Sequence, residues 1–209
     1  MKDLILIGGG GHCKAVIDII ESIGNYNILG VLDVTDKIGE KVLSTSIIGS
    51  DNDINKYIRK AEFLITVGFI TNPALRIKLF NLVKNNGGEL ATIIAPTAYV
   101  SKHANIAEGT IIMHHAMVSA EANIGSNCII NTFANIEHET IIGNHCHIST
   151  GSMINGTCVI GENIFIGSQS VLAQGVQVAS DTIISAASFV HKNIINSGVY
   201  AGNPARKIR

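Results

Sequence analysis

Aliphatic residues recur at every sixth position through the second half of the chain. The series runs Val100, Ile106, Ile112, Val118, Ile124, Ile130, Ile136, Ile142, Ile148, Ile154, Ile160, Ile166, Leu172, Val178, Ile184 and Val190, sixteen hits in sixteen positions without an insertion. Four residues after each hit the side chain is small, from Ala104 and Thr110 through Cys128, Cys146 and Cys158 to Ser188, with only Ile164, Val176 and Ile194 larger. An α-helical stripe recurs at three and four residues and cannot give this pattern. A period of six, with one aliphatic and one small inward position, predicts a triangular coil instead. Each hexad supplies a short strand and a corner, three hexads close a coil, and residues eighteen apart stack in one column. Buried Ile and Val along such a column contribute roughly 1.5–3 kcal/mol each, so Ile142→Asp is expected to break the axis.

The first half follows a different rule. Leu4 to Ile7 reads as a buried strand, Gly8 to His12 as a turn, and Ala15, Val16, Ile19 and Ile20 as one face of a helix. Further strands are predicted at Ile28 to Leu32, Phe63 to Val67 and Ala91 to Ile94, with a helix from Pro73 to Asn85. Pro is well suited to a first helical turn. This alternation predicts a small α/β domain with a Rossmann-like parallel sheet over residues 1–95, followed by the β-helix over 96–209, with Pro96 at the passage. The glycine run would put free backbone N–H groups at a helix N-terminus, an arrangement suited to phosphate. A dinucleotide fingerprint needs a third glycine where Cys13 stands, and the domain is short for two mononucleotide halves, so one nucleotide is favoured over two. The alternative is that these glycines serve only a tight turn.

Composition narrows the classes. The chain has 209 residues, is 46% hydrophobic and carries formal net charge −1, so nothing electrostatic points to a nucleic acid polymer. Its apolar runs are far shorter than the roughly 20 residues that span a bilayer, which predicts no membrane insertion. The N-terminus lacks the pattern of a secretory signal, so a cytoplasmic protein is expected. His145, Cys146 and His147, with Cys128 and Cys158, resemble zinc ligands by composition. All three cysteines, however, fall in the small inward slot, where a thiol is a compact apolar filler, so no metal is expected.

Most polar residues on a solenoid coat carry no chemistry. His138 differs because it sits between Glu137 and Glu139 two residues after inward Ile136, at a corner whose column neighbours are Ala120 and Gly156. An imidazole oriented by a carboxylate is a candidate general base, and small neighbours leave room for a substrate. His103, His114, His115, His145 and His191 read as coat or turn residues.

The turn Gly10-Gly11-His12, Asp33 at a strand end, the segment Asn131 to Glu139, His147 and the terminal run Tyr200 to Arg206 together resemble the hexapeptide-repeat sugar acyltransferases. The resemblance is to sialic acid O-acetyltransferases and to N-acetyltransferases of UDP-4-amino sugars of the bacillosamine type. It implies a left-handed parallel β-helix, a homotrimer, and acetyl-CoA as co-substrate lying along the solenoid between subunits. It also implies His138 as general base, polarised by Glu139, with Asn131 in the same pocket. His147, Gly156, Ser168 and Ala186 would line the CoA channel, and Gly10, Gly11, His12, Asp33 and Gly68 would contact the nucleotide-sugar. Two departures stand out: Asp33 is followed by Val34 rather than a second acid, and Ser185 to Ser188 replaces a glycine-rich stretch.

The favoured expectation is acetyl transfer to the amine of a nucleotide-linked 4-amino-4,6-dideoxy sugar. O-acetylation of sialic acid or another acidic sugar uses the same base and thioester and stays open. A non-catalytic nucleotide-sugar binding trimer and a nicotinamide oxidoreductase are the other classes; acetyl-CoA binding separates the acetyltransferase from the binding trimer, and nicotinamide-cofactor binding seen by fluorescence is what the oxidoreductase predicts.

Overall fold

The computed structural model describes residues 1–209. Four consecutive apolar residues at Leu4–Ile7 are all fully buried, as a strand covered on both faces requires. They belong to β1 (Lys2–Ile7), an interior strand of the N-terminal sheet. Helix α1 (Gly11–Ile23) leads to β2 (Tyr26–Leu32), which pairs parallel to β1. A hairpin of β3 (Lys41–Val42) and β4 (Thr45–Gly49) extends that edge, and β5 (Glu62–Ile65) pairs parallel to β1 on the other side. The sheet order is β3-β4-β2-β1-β5, and α2 (Ala74–Asn85) follows with Pro73 as its N-cap. The α/β domain expected from the sequence is therefore present. The hairpin was not foreseen. The expected strand at Ala91 to Ile94 shortens to Ile93–Ile94 and pairs with Ile111–Ile112, so it belongs to the solenoid, where the Ile93 N–H finds the Thr110 carbonyl.

From there the chain winds as a left-handed parallel β-helix of two-residue strands. Face one carries, among others, Ile111–Ile112, Ile129–Ile130, His147–Ile148 and Phe165–Ile166; face two Met117–Val118, Asn135–Ile136 and Met153–Ile154; face three Asn123–Ile124, Ile141–Ile142 and Val159–Ile160. From Ile93 to Val190 partners in every face are eighteen residues apart, for example Ile124, Ile142 and Ile160. The inward residues form one core from Ile112 to Ile194. Its small slots include the three cysteines, whose thiols donate to carbonyls one coil on: Cys128 to Gly143 at 3.2 Å, Cys146 to Gly161 at 3.1 Å and Cys158 to Ala173 at 3.2 Å.

Each corner is turned by one residue of left-handed backbone conformation. From residue 109 to residue 187 every sixth residue has positive φ; eleven of these fourteen are not glycine, among them Asn127, Phe133, Glu139 and His145. The corners thus accept a side chain at most of these positions.

The two domains share a core. Leu4, Leu6, Val16 and Ile20 pack in one cluster with Ile93, Ile111 and Met113 of face one. On the other side, the Phe80 ring of α2 meets the edge of His145 with centroids 5.3 Å apart. The N-terminal domain is therefore seated on face one by apolar contact, leaving faces two and three uncovered. No helix is long and apolar enough to cross a membrane.

Candidate active site

Two cavities lie where the domains meet. The first, about 650 Å³, is lined by Gly8 to His12, Asp33, Lys37, Thr66 to Ile70, Asn131 and His147. The second, about 820 Å³, runs along face one past His147, Ser149, Phe165, Ser168, Ile183 and Ala186. They share Ile70 and His147. All five residues expected to contact a nucleotide-sugar (Gly10, Gly11, His12, Asp33 and Gly68) line the first cavity, and Ser168 and Ala186 line the second.

The glycine turn has two halves with different causes. Gly8 has φ +103°, and Val67 fills the space its side chain would need, while a Cβ on Gly9 would lie 2.8 Å from Asp33 Oδ2. Packing demands both. At Gly10 and Gly11 an added Cβ would meet nothing within 4 Å, so no protein contact explains them and the space belongs to the cavity. Gly10 is the N-cap of α1, with no side-chain cap and no acid in the first turn, so first-turn N–H groups face outward unpaired.

Asp33 accepts from Gly9 N–H at 2.7 Å, from Val34 N–H at 2.7 Å and from Lys37 Nζ at 3.3 Å. Burial pushes its carboxyl upward, but the hydrogen bonds from Val34, Gly9 and Lys37 together outweigh this and hold it below the ordinary value. Lys37, four residues after Asp33, is a cation on the rim of the cavity that the sequence reading overlooked; its spacing from Asp33 was the available signal.

His147 joins the two cavities. Its Nδ1–H donates to Phe69 O at 2.8 Å, which leaves Nε2 to accept from Asn131 Nδ2 at 3.1 Å. Its ring also lies 5.2 Å from Phe165 and 5.7 Å from Phe69, both edge-on. Burial, partly countered by the Phe69 hydrogen bond, pushes its pKa down to about 4. His147 is thus a neutral imidazole with both nitrogens engaged, a fixed wall and not a base. His12 is likewise neutral, its pKa pushed down to about 3 by burial first and then by Arg76 and His147, and its Nε2 has no partner.

His138 stands elsewhere. It follows Asn135–Ile136 at the corner between faces two and three, whereas Asn131 turns the corner between faces one and two. Within one chain the expected neighbours His138 and Asn131 are therefore not brought together. Nδ1 of His138 meets Glu139 Oε2 at 2.9 Å, with both side chains about half exposed. That carboxylate accepts a hydrogen bond from Nδ1–H and so leaves the lone pair on Nε2. Gly156 lines neither cavity. It lies directly under the imidazole, where a Cβ would come within 2.6 Å of both Cε1 and Nε2 of His138.

Comparison with known proteins agrees with this geometry. Residues 3–83 match the PglD N-terminal domain and residues 121–156 match the bacterial transferase hexapeptide, six repeats. The UDP-N-acetylbacillosamine N-acetyltransferase of Bacillus subtilis (strain 168) is 32% identical over 112 residues, which is 53% of this chain; the match covers 50% of that protein, so the chain spans about half the length of this relative. The acetyltransferase domain of PglB from Neisseria gonorrhoeae, in complex with acetyl coenzyme A, superposes with TM-score 0.91 at 27% identity over 99% of each chain. PerB from Caulobacter crescentus, in complex with CoA and GDP-perosamine, superposes with TM-score 0.90 at 28% identity over 99% of this chain and 97% of that one. With parts of both domains matched by family models and 99% of its length superposed, the chain is similar to hexapeptide-repeat sugar acetyltransferases that carry a PglD-type N-terminal domain.

Proposed function

We propose that the protein acetylates the amine of a nucleotide-linked amino sugar, of the UDP-4-amino-4,6-dideoxy type, with acetyl-CoA as donor and as a homotrimer. The observation that carries this is the meeting of two cavities at Ile70 and His147. The first has what a sugar diphosphate needs: unpaired N–H groups at the start of α1, side-chain-free Gly10 and Gly11, and the Lys37 ammonium. The second is a long, largely apolar trough along face one, suited to a pantetheine arm. In this reading residues 1–95 hold the acceptor, and 96–209 carry the donor and the base. The similar structures that hold acetyl coenzyme A, or CoA with GDP-perosamine, support the pairing of these two ligands.

His138 supplies the base from a neighbouring subunit. Its remoteness from Asn131 within one chain supports this, as do the exposed apolar residues of the two uncovered faces: Met117, Met153, Ile141 and Val159, each 38–48% exposed. Nε2 takes a proton from the attacking amine as nitrogen bonds to the thioester carbonyl. Glu139 stabilises the imidazolium, and the proton then passes to the departing CoA sulfur. The products are an acetamido sugar and free CoA thiol. His147, neutral and doubly hydrogen-bonded, keeps the walls in place and transfers no proton. Such ligands, and four unpaired thiols, fit the cytoplasm.

The test is CoA-thiol release from acetyl-CoA with UDP- and GDP-linked 4-amino sugars, and with free sialic acids as the hydroxyl control. Replacing His138 with Ala should lower kcat/KM by roughly 10²–10⁴ while the oligomer persists. Activity near the wild-type level in that variant removes the mechanism, and turnover of sialic acid alone removes the amine as acceptor.

A further inference from the structure

We infer that Arg76 is a positioning residue that fixes the segment from Thr66 to Thr71, the wall common to both cavities, and so sets the affinity for both ligands together. The inference rests on the reading of the cavities as acceptor and donor sites.

Arg76 lies in the first turn of α2 and is completely buried. Its planar fork is committed to carbonyl groups on both sides of the domain junction. Nη1 donates to Ile65 O at 2.6 Å and to Val67 O at 2.8 Å, gripping the chain either side of Thr66, while Nε donates to Asn127 O at 3.0 Å on a solenoid corner. It makes no salt bridge, and Nη2 has no partner at all. Burial pushes the guanidinium pKa down to about 9, so it remains charged at neutral pH. A buried cation without a counter-charge is a poor stabiliser, since an apolar residue of similar volume avoids the desolvation cost. What it does is hold three carbonyls from two domains with one rigid planar fork, which a lysine ammonium cannot match.

The gripped carbonyls lead straight into the wall. Val67 packs against Gly8, Gly68 faces His12 so closely that an added Cβ would touch its Cβ at 3.7 Å, and Phe69 O accepts the hydrogen bond from His147 Nδ1–H. Ile70 lines both cavities and Thr71 lines the second, whereas Arg76 lines neither. It therefore acts through the wall. Its charge also faces His12 and His147 closely enough to disfavour their protonation, and lends the cradle positive potential toward anionic ligands.

The experiment is calorimetric titration of the wild-type protein, Arg76→Lys and Arg76→Met with coenzyme A and, separately, with UDP and GDP. Both dissociation constants are expected to rise in parallel by roughly tenfold at full binding stoichiometry. A merely structural role would lower the melting temperature and the binding-competent fraction at unchanged dissociation constants; that result, or a rise confined to one ligand, overturns the inference. Wild-type protein that binds neither ligand class overturns it together with the functional reading, whereas intact wild-type binding that the variants share overturns it alone. Should neither variant fold, amide exchange in the wild-type protein decides: CoA alone and the nucleotide alone must each protect residues 66–71, and protection by only one refutes the shared wall.

Discussion

Gly156→Ala is the sharpest test of how the solenoid prepares His138. The new Cβ would lie 2.6 Å from Cε1 and from Nε2 of the imidazole, whereas carbon contacts settle near 3.5–4.0 Å. The ring must therefore retreat by about 1 Å, and a displacement of that size near the chemistry can cost about 10²-fold in rate. That corresponds to about 2.7 kcal/mol of transition-state stabilisation. The backbone at Gly156 does not have the positive φ that disfavours a side chain, so folding should survive, and alanine restricts the unfolded chain slightly in its favour. The substitution thus separates geometry from stability. The assay is steady-state CoA release with saturating donor, beside a thermal melt. We expect kcat to fall between about tenfold and a hundredfold with little change in melting temperature. A kcat within twofold of wild type would show that the ring has no preferred seat, and the reasoning from Gly156 would be wrong.

Other expectations address the cradle, the pH response and assembly. Lys37→Ala should weaken nucleoside diphosphate binding by about 1.5–3 kcal/mol, the range for a charged hydrogen bond, with CoA affinity unchanged; equal weakening of both ligands in calorimetry would contradict the assignment of the two cavities. His12 and His147 are neutral in the fold down to about pH 3 and pH 4 respectively, but in the unfolded chain they take up protons near pH 6.5. The unfolded state then binds more protons below that point, so stability should be full above pH 6.5 and fall progressively as pH drops toward 4. Melting temperature against pH checks this, and His147→Gln should flatten the slope. Ile141→Asp places a charge on an uncovered face and should yield a folded chain sedimenting near 22.1 kDa, where the wild type, as the proposed trimer, should sediment at about three times that mass; an unchanged oligomer would clear face three of any role in assembly.

The repeat was legible because each hexad obeys the same two-position rule, and no insertion disturbs it between Val100 and Val190. The corners were less so. Their left-handed residues are Asn, Glu, His, Phe, Gln, Thr, Asp and Ala as well as Gly, since a corner imposed by strands on both sides does not need a residue that favours it. The hairpin of β3 and β4 escaped for a related reason: it turns at Leu43 and Ser44, with Leu43 at φ 54°, and no Asn-Gly or Asp-Gly marks it. The cavity residues named from the sequence came through family resemblance, and others such as Ile70, Phe165 and Ile183 were not named, because sequence distance says little about which columns a separate domain will cover. Nothing in the sequence sets Arg76 apart, and only its contacts with Ile65, Val67 and Asn127 reveal it as a junction.

The eighteen-residue recurrence of each face carries a constraint on how such a chain can change length. Insertion of one whole coil downstream of Gly156 would leave every column aligned and merely lengthen the trough. Insertion of a single hexad would rotate all later columns by one face, carrying Phe165, Ser168 and Ala186 away from the wall they share with Ile70. Growth and loss in this lineage should therefore be counted in full turns, with partial turns tolerated only beyond the last residue that touches a ligand.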